Sequence, residues 1–295
     1  MRLLITGGTG FIGQALCPAL SAAGYQVCVL TRDVQRATRH FPDIVAVDTL
    51  EGVQADAVIN LAGEPLAEGR WSASRKRRFR DSRLGTTRQL HDWIEHQPAA
   101  QRPTVLISGS AVGYYGERGD TILTEADDAG DDFAAVLCRD WEHAAAGIAA
   151  LGPRVSWVRT GIVLDRDGGA LARMLPAFRL GGGGPFGNGR HWMSWIHRGD
   201  MVALLSWLLQ HGQAGAYNAT APTPVTNAEF AQTLARVLRR PAMLTLPAGL
   251  LRLGLGEMAD LLLISQRVVP QRALEAGFDF QHVQLEAALR AILLR

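Results

Sequence analysis

The chain has 295 residues, of which 47% are hydrophobic and 20% charged, with a formal net charge of +2. That length holds one large α/β domain with a smaller appendage, and the composition is that of a folded protein, not a disordered one. So small a charge calls for no nucleic-acid and no membrane partner, and three cysteines at unrelated spacings (Cys17, Cys28, Cys138) argue against a disulfide framework or a metal site and suit a reducing, cytoplasmic setting.

The first element, "RLLIT", is an apolar run ended by glycine and reads as a strand buried on both faces. "GGTGFIG" follows, with Gly7, Gly10 and Gly13 three apart. Next come "QALCPALSAAG", apolar at helical spacing and closed by Gly24, and a second strand, "YQVCVLTR". This is a βαβ unit with glycines at its first turn. Small residues there let the backbone approach a pyrophosphate, and the helix N-terminus offers it free N–H groups. The strand–turn–helix–strand context makes the pattern specific, and cofactor contacts are expected from Gly7, Thr9, Gly10, Phe11, Ile12 and Gly13.

The tip of the second strand selects the dinucleotide. NAD users place a carboxylate there for the ribose 2′-hydroxyl. A strand ending at Leu30 puts Thr31 in that position and Arg32 next to it, a hydroxyl and a guanidinium suited to a 2′-phosphate. A charge-assisted contact of this kind is worth about 1.5–3 kcal/mol, so NADP(H) is the expected cofactor. Asp33, twenty residues past Gly13, is the rival and would favour NAD if the strand ran longer.

"IVAVD" (Ile44 to Asp48) reads as a third strand with Asp48 at the adenine end. "ADAVINLAG" (Ala55 to Gly63) reads as a fourth, whose small end, including Leu61, Ala62 and Gly63, permits close approach to the cofactor's sugars. Glu64, just beyond, is a candidate contact or a loop-anchoring carboxylate. The basic run "RKRRFR" (Arg75 to Arg80) reads as a solvated helix face. A helix "SRLGTTRQLHDWI", a fifth strand "TVLISGS", a helix from Asp132 to Ala150 and a sixth strand "RVSWVRTGIVL" follow. Alternating strands and helices predict an α/β fold: a Rossmann-type, doubly wound parallel sheet with right-handed crossovers and ligands outside its carboxyl ends.

From Asp165 the texture changes. "MLPAFRLGGGGPFGNGRHW" contains four consecutive glycines, which hold no fixed loop without outside contacts. "WIHRGDMVALLSWLL" runs from a short strand through Asp200 into a helix that rejoins the first domain, with Trp192, Trp195 and His197 near the junction and His197 read as structural. "VTNAEFAQTLARVL" starts a helix at Thr226 or Asn227, with Glu229 in its first turn. Residues Pro247 to Ile264 are apolar, but Arg252, Glu257 and Asp260 interrupt them, so a buried or interface helix is expected and not a membrane span. The expected division is a nucleotide domain over 1–165, completed by roughly 196–220, and a small α-rich substrate domain over 166–195 and 221–295. The sequence fixes no oligomeric state and permits a homodimer.

Taken in order, "TGGTGFIG", "INLAG", "SGSAVGYYG", "RTGIVL" and "WIHRGDMV" resemble the extended short-chain dehydrogenase/reductase family. "NLAGEPLAEGRW", "LCRDWE" and "GIVLDRDGGALARMLPAFRLGGGGPFGNGR" resemble its atypical YfcH-type, epimerase-like branch. The resemblance implies a small carbonyl or sugar-like substrate, a glycine-rich segment acting as a mobile lid over the cleft, and Gly161 in the segment whose backbone reaches the nicotinamide carboxamide. It also exposes a departure. Working members carry a Tyr-x-x-x-Lys pair on one helix face, the phenol handling the proton and the lysine lowering its pKa, with a serine on the preceding strand. Anchored on Glu142, that helix puts Ala134 and Cys138 in the two positions. Alanine has no proton to give, and a thiol cannot mimic an ammonium. The remaining catalytic candidates are Ser110, matching the family's serine, with Ser108 behind it; the phenols Tyr114 and Tyr115; and Cys138, either on the nicotinamide pocket or buried as a small hydrophobe. Arg83 stands where the family has a structural asparagine and would bring positive charge towards the site. Two functions are compatible with this inventory: an NADPH-dependent reductase or epimerase-like enzyme, and an NADP(H)-binding redox sensor or assembly factor without turnover.

Overall fold

A computed structural model describes residues 1–294. Seven strands form one parallel sheet, running from edge to edge as Gly215–Ala219, Arg154–Thr160, Val105–Ala111, Ala57–Asn60, Arg2–Thr6, Gln26–Leu30 and Val45–Val47. The order reverses beside Arg2–Thr6, at the switch point where α/β sheets open a crevice at their carboxyl ends. Alternation along each strand assigns its side chains to two layers. Leu3, Ile5, Ile59 and Ile107 pack with Leu16 and Leu20 of the helix Gly13–Ala22 and with Met201, Leu204 and Leu205 of the helix Arg198–His211. Leu4, Val58 and Leu106 face the other way, onto Leu90, Trp93 and Ile94 of the helix Thr86–His96 and Ala145 of the helix Phe133–Ala146. Both faces are covered, which is why the strands read as unbroken apolar runs.

A separate core gathers Leu171, Leu175 and Phe178 of the helix Gly169–Arg179, Phe230 and Leu234 of the helix Asn227–Leu238, and Leu285 and Leu289 of the helix Leu285–Leu293. The helix Asn227–Leu238 starts at Thr226 with a full capping box to Glu229.

Three expected elements differ. The single sixth strand is two, Arg154–Thr160 and Ile162–Asp165, and the second leaves the main sheet to pair with Trp195–His197. Gly161 makes the break: a Cβ there would lie 2.4 Å from the Ser194 carbonyl oxygen. The helix expected to reach Ala150 ends at Ala146 and finishes in a 3₁₀ turn, Gly147–Leu151. The apolar stretch from Pro247 is no single helix but Ala248–Leu255, a 3₁₀ turn Gly256–Ala259 and Asp260–Leu263. Among the described residues no helix is long and apolar enough to cross a membrane.

Candidate active site

The glycine turn closes on itself too tightly for side chains. Gly7 has φ +70°, and a Cβ there would lie 2.6 Å from the backbone of Leu61; one at Gly13 would lie 2.4 Å from the carbonyl oxygen of Gly8. The Thr6 hydroxyl, bonded to Asn60 Oδ1 at 2.6 Å, receives the Ala62 amide and so draws Leu61–Ala62 against the turn. The helix Gly13–Ala22 has no side-chain cap, and the amides of Phe11, Ile12 and Gly13 have no acceptor among the described residues. Bare amides at a helix N-terminus, reached through a turn without Cβ atoms, suit a pyrophosphate. Thr9 contributes its carbonyl to the Gln14 side chain at 3.0 Å. The Phe11 ring lies under the Arg198 guanidinium at 4.7 Å, and Gly168 and Gly169 press against it. Arg198, whose Nε is buried without a partner and whose Nη1 stands 3.6 Å from Asp165, escapes the sequence reading because only the fold brings it across 187 residues to this turn. Its one signal was the "WIHRGD" motif.

The second strand ends at Leu30, leaving Thr31 half-buried and Arg32 exposed beyond it. The rival carboxylate is engaged elsewhere. Asp33 caps the helix Val34–His40, its Oδ1 accepting from the Arg36 amide at 2.9 Å, while its own amide donates to Thr31 Oγ1. Asp48 is exposed at the tip of Val45–Val47.

Ser110 and Tyr115 are buried, and their hydroxyls are bonded inward. Ser110 donates to Glu142 Oε1 at 2.6 Å, and Arg159 Nε and Nη2 donate to Glu142 Oε1 and Oε2 at 2.9 and 3.0 Å. Arg159 Nη1 also donates to the Tyr115 hydroxyl at 2.9 Å, and that hydroxyl donates to Asn218 Oδ1 at 2.6 Å. All five residues are buried, Tyr115 completely. Burial, against the pull of Arg159, pushes the phenol up to about 12. Its proton is already given to a core amide. Tyr114 is half-buried with the Arg159 guanidinium 3.5 Å over its ring. Ser108 is wholly buried in its strand, its hydroxyl donating a long 3.4 Å bond to the Gly109 carbonyl.

Arg83 and Cys138 meet at the position of the missing lysine. The turn Asp81–Gly85 is a π-helical bulge between Ala73–Arg80 and Thr86–His96, and it directs Arg83 inwards. The guanidinium donates to the carbonyls of Phe79 and Glu64 at 3.1 Å each, covers Trp141 at 5.2 Å and lies against Gly63, where a Cβ would be 3.0 Å from its Cζ. Among the described residues it has no carboxylate within ion-pair distance. Burial lowers its pKa, partly offset by Cys138 and Glu64. The Cys138 thiol is buried beside it and pushed up to about 11, chiefly by desolvation and then by Glu142. Glu64 itself is tied to the basic helix, 3.3 Å from Arg78 and 3.6 Å from Arg75, which anchors its loop.

In front of the strand ends lies a cavity of about 1340 Å³. Its floor is Ala111–Gly113, Thr160, Gly161 and Cys138; its walls come from Leu66–Trp71, the helix Gly169–Arg179, and residues 244–264. Of the candidate site residues, only Cys138 and Gly161 line it. The glycine-rich segment is a packed wall, not a free loop: a Cβ at Gly183 would lie 2.4 Å from the Phe178 ring, and one at Gly184 would lie 2.0 Å from the Leu244 carbonyl oxygen.

Comparison with known proteins matches residues 3–220 to the NAD dependent epimerase/dehydratase family and residues 246–292 to a domain of unknown function, DUF1731. The chain is 42% identical to the chloroplastic epimerase family protein SDR39U1 homolog of Arabidopsis thaliana, over 99% of this chain and 87% of the relative. The crystal structure of human epimerase family protein SDR39U1 (isoform 2) with NADPH superposes over the full length of both chains, with a TM-score of 0.91 at 37% identity. A nucleoside-diphosphate sugar epimerase from Corynebacterium glutamicum covers 99% of this chain, and 58% of its own, with a TM-score of 0.78 at 34% identity.

Proposed function

This chain belongs to the NAD dependent epimerase/dehydratase family, and we propose that it is an atypical NADP(H)-dependent oxidoreductase of that family, acting on a carbonyl or the corresponding alcohol. One observation carries the reading. The glycine turn leaves the carboxyl end of Arg2–Thr6, and the cavity floor leaves those of Val105–Ala111 and Arg154–Thr160, two and three strands along the same edge of the sheet, so an extended dinucleotide seated on the turn would reach a ligand in the cavity at Gly161, Ala111 and Cys138.

The residues fit the dinucleotide. The amides of Phe11, Ile12 and Gly13 would hold its pyrophosphate, with Arg198 adding a cation over Phe11. Thr31 and Arg32 would take the 2′-phosphate, since Asp33 spends its carboxylate on a helix cap. NADP(H), when bound, supplies or accepts a hydride. The bound human relative supports the choice of cofactor.

Arg83 brings the positive charge that the lysine brings elsewhere, from a different element. Three of its five N–H donors are left after the two carbonyls, and desolvation strengthens its field at the cavity floor. Cys138 stays a neutral thiol at physiological pH and shapes that floor without moving protons. Ser110 and Tyr115 hold the floor in place through Glu142 and Arg159.

The test is consumption of NADPH by the purified protein with a panel of aldehydes and ketones, repeated with Arg83→Gln. Turnover that falls at least tenfold in the variant while NADPH still binds supports the reading. NADPH that binds and is never oxidised favours instead a redox-state sensor, the reading that the absent tyrosine and lysine suggest.

A further inference from the structure

The cavity is chemically unlike a nucleotide-sugar site. A nucleoside diphosphate carries at least two negative charges and needs free cations or bare helix amides to hold them. The cavity wall has two cations, Lys76 and Arg173, against three carboxylates, Asp132, Glu257 and Asp260. Neither cation is free. Lys76 is paired with Glu257, and Arg173 donates to the Ala67 carbonyl and to Glu68 at 3.0 Å. Asp132 occupies the N-terminus of the helix Phe133–Ala146, and the capping box of Thr226 and Glu229 occupies that of Asn227–Leu238. A diphosphate would meet a wall that is net negative with both cations paired, which leaves it the uncapped starts of the helices Gly169–Arg179 and Ala248–Leu255.

Most of the lining is apolar: Leu66, Trp71, Phe133, Met174, Phe178 and Leu246 among others. Much of it comes from residues 244–264, which lie largely within the matched domain of unknown function. That segment is clamped over the cavity by Lys76–Glu257 and by Arg70, which donates to the carbonyls of Gly254 and Leu253.

One polar side chain on this wall lacks a partner: His191 is 8% exposed, and its Nε2 is fully buried, out of a cavity ligand's reach, with no hydrogen-bond partner among the described residues. An unpaired buried imidazole nitrogen costs stability. Desolvation keeps the ring below its ordinary pKa, against the attraction of Glu117, so it is neutral.

We infer that the cavity takes a hydrophobic, uncharged carbonyl compound and not a nucleotide sugar, and that the C-terminal segment 244–264 builds its apolar wall. This rests on the cavity being the substrate site of the proposed oxidoreductase.

The test uses calorimetric titration of the whole protein, with and without saturating NADPH, by three probes: 4-phenyl-2-butanone, its hydrocarbon counterpart n-butylbenzene, and UDP-glucose. The ketone and the hydrocarbon are both expected to bind with a negative heat-capacity change, the mark of apolar burial. UDP-glucose is expected not to displace the ketone. Leu250→Glu, at an exposed wall position that tolerates substitution, should weaken both apolar probes at least tenfold. Displacement of the ketone by UDP-glucose, or binding of neither apolar probe, overturns the inference. Failure of NADPH to bind while the ketone still does would sink the proposed function and leave the cavity assignment standing.

Discussion

Replacing Tyr115 with phenylalanine separates a structural phenol from a catalytic one. The substitution removes the bond donated to Asn218 at 2.6 Å and the one accepted from Arg159 at 2.9 Å. A buried polar group that loses its partner costs about 1–3 kcal/mol. Arg159 keeps Glu142, and the Asn218 amide nitrogen keeps the Val269 carbonyl at 2.9 Å, so the combined loss is about 2–4 kcal/mol. At an unfolding entropy of about 2.1 cal/mol/K per residue, a chain of 295 residues loses about 0.6 kcal/mol per degree, and the melting midpoint falls by about 3–6 °C. Differential scanning calorimetry measures the fall, and NADPH titration of the same sample should show affinity within about twofold of the parent. An unchanged midpoint together with abolished turnover would put the Tyr115 phenol back at the reacting centre and refute the reasoning.

Gly13→Ala places a Cβ 2.4 Å from the Gly8 carbonyl oxygen, distorting the turn that bares the amides; NADPH affinity by calorimetry should drop at least tenfold while circular dichroism is preserved. Arg32→Glu replaces attraction to a 2′-phosphate with repulsion and should weaken NADPH by about 10- to 150-fold, corresponding to about 1.5–3 kcal/mol, with NADH affinity held or improved. Burial pushes Cys17 up to about 12 and Cys138 up to about 11, whereas an ordinary thiol ionises near 9.0. Above that pH the unfolded chain has fewer bound protons than the folded one, so the stability contribution is complete below pH 9.0 and declines as pH rises towards 11. Urea midpoints should therefore fall over that interval, less steeply in Cys138→Ala; a flat profile in the parent would contradict the burial of these thiols.

The parts of this molecule legible in the sequence are those that chain neighbours determine. The glycine turn is one, because strand, turn and helix follow each other within thirteen residues and each glycine answers a local steric demand. The end of the second strand at Leu30 is another, since Thr31, Arg32 and Asp33 are consecutive. The bonding of Ser110 and Tyr115 was not legible because their partners are not local. Tyr115 reaches Asn218 across 103 residues and Arg159 across 44, and nothing in "SGSAVGYYG" says that its second tyrosine turns inward. The break at Gly161 depends on a carbonyl of Ser194, and the approach of Arg198 to Phe11 on the packing of two distant segments. His191 drew no attention for a related reason: its distinguishing feature is the lack of a partner, which exists only once the surrounding core has formed.

The central claim is that the glycine turn, with Thr31 and Arg32 beyond it, seats a phosphorylated dinucleotide. Titrating the protein side by side with NADPH and NADH, and reading the reduced nicotinamide fluorescence, tests it most directly. The account predicts saturable enhancement with NADPH at a dissociation constant at least tenfold below that for NADH. Equal affinity for the two, tighter binding of NADH, or no change in fluorescence with either would contradict it.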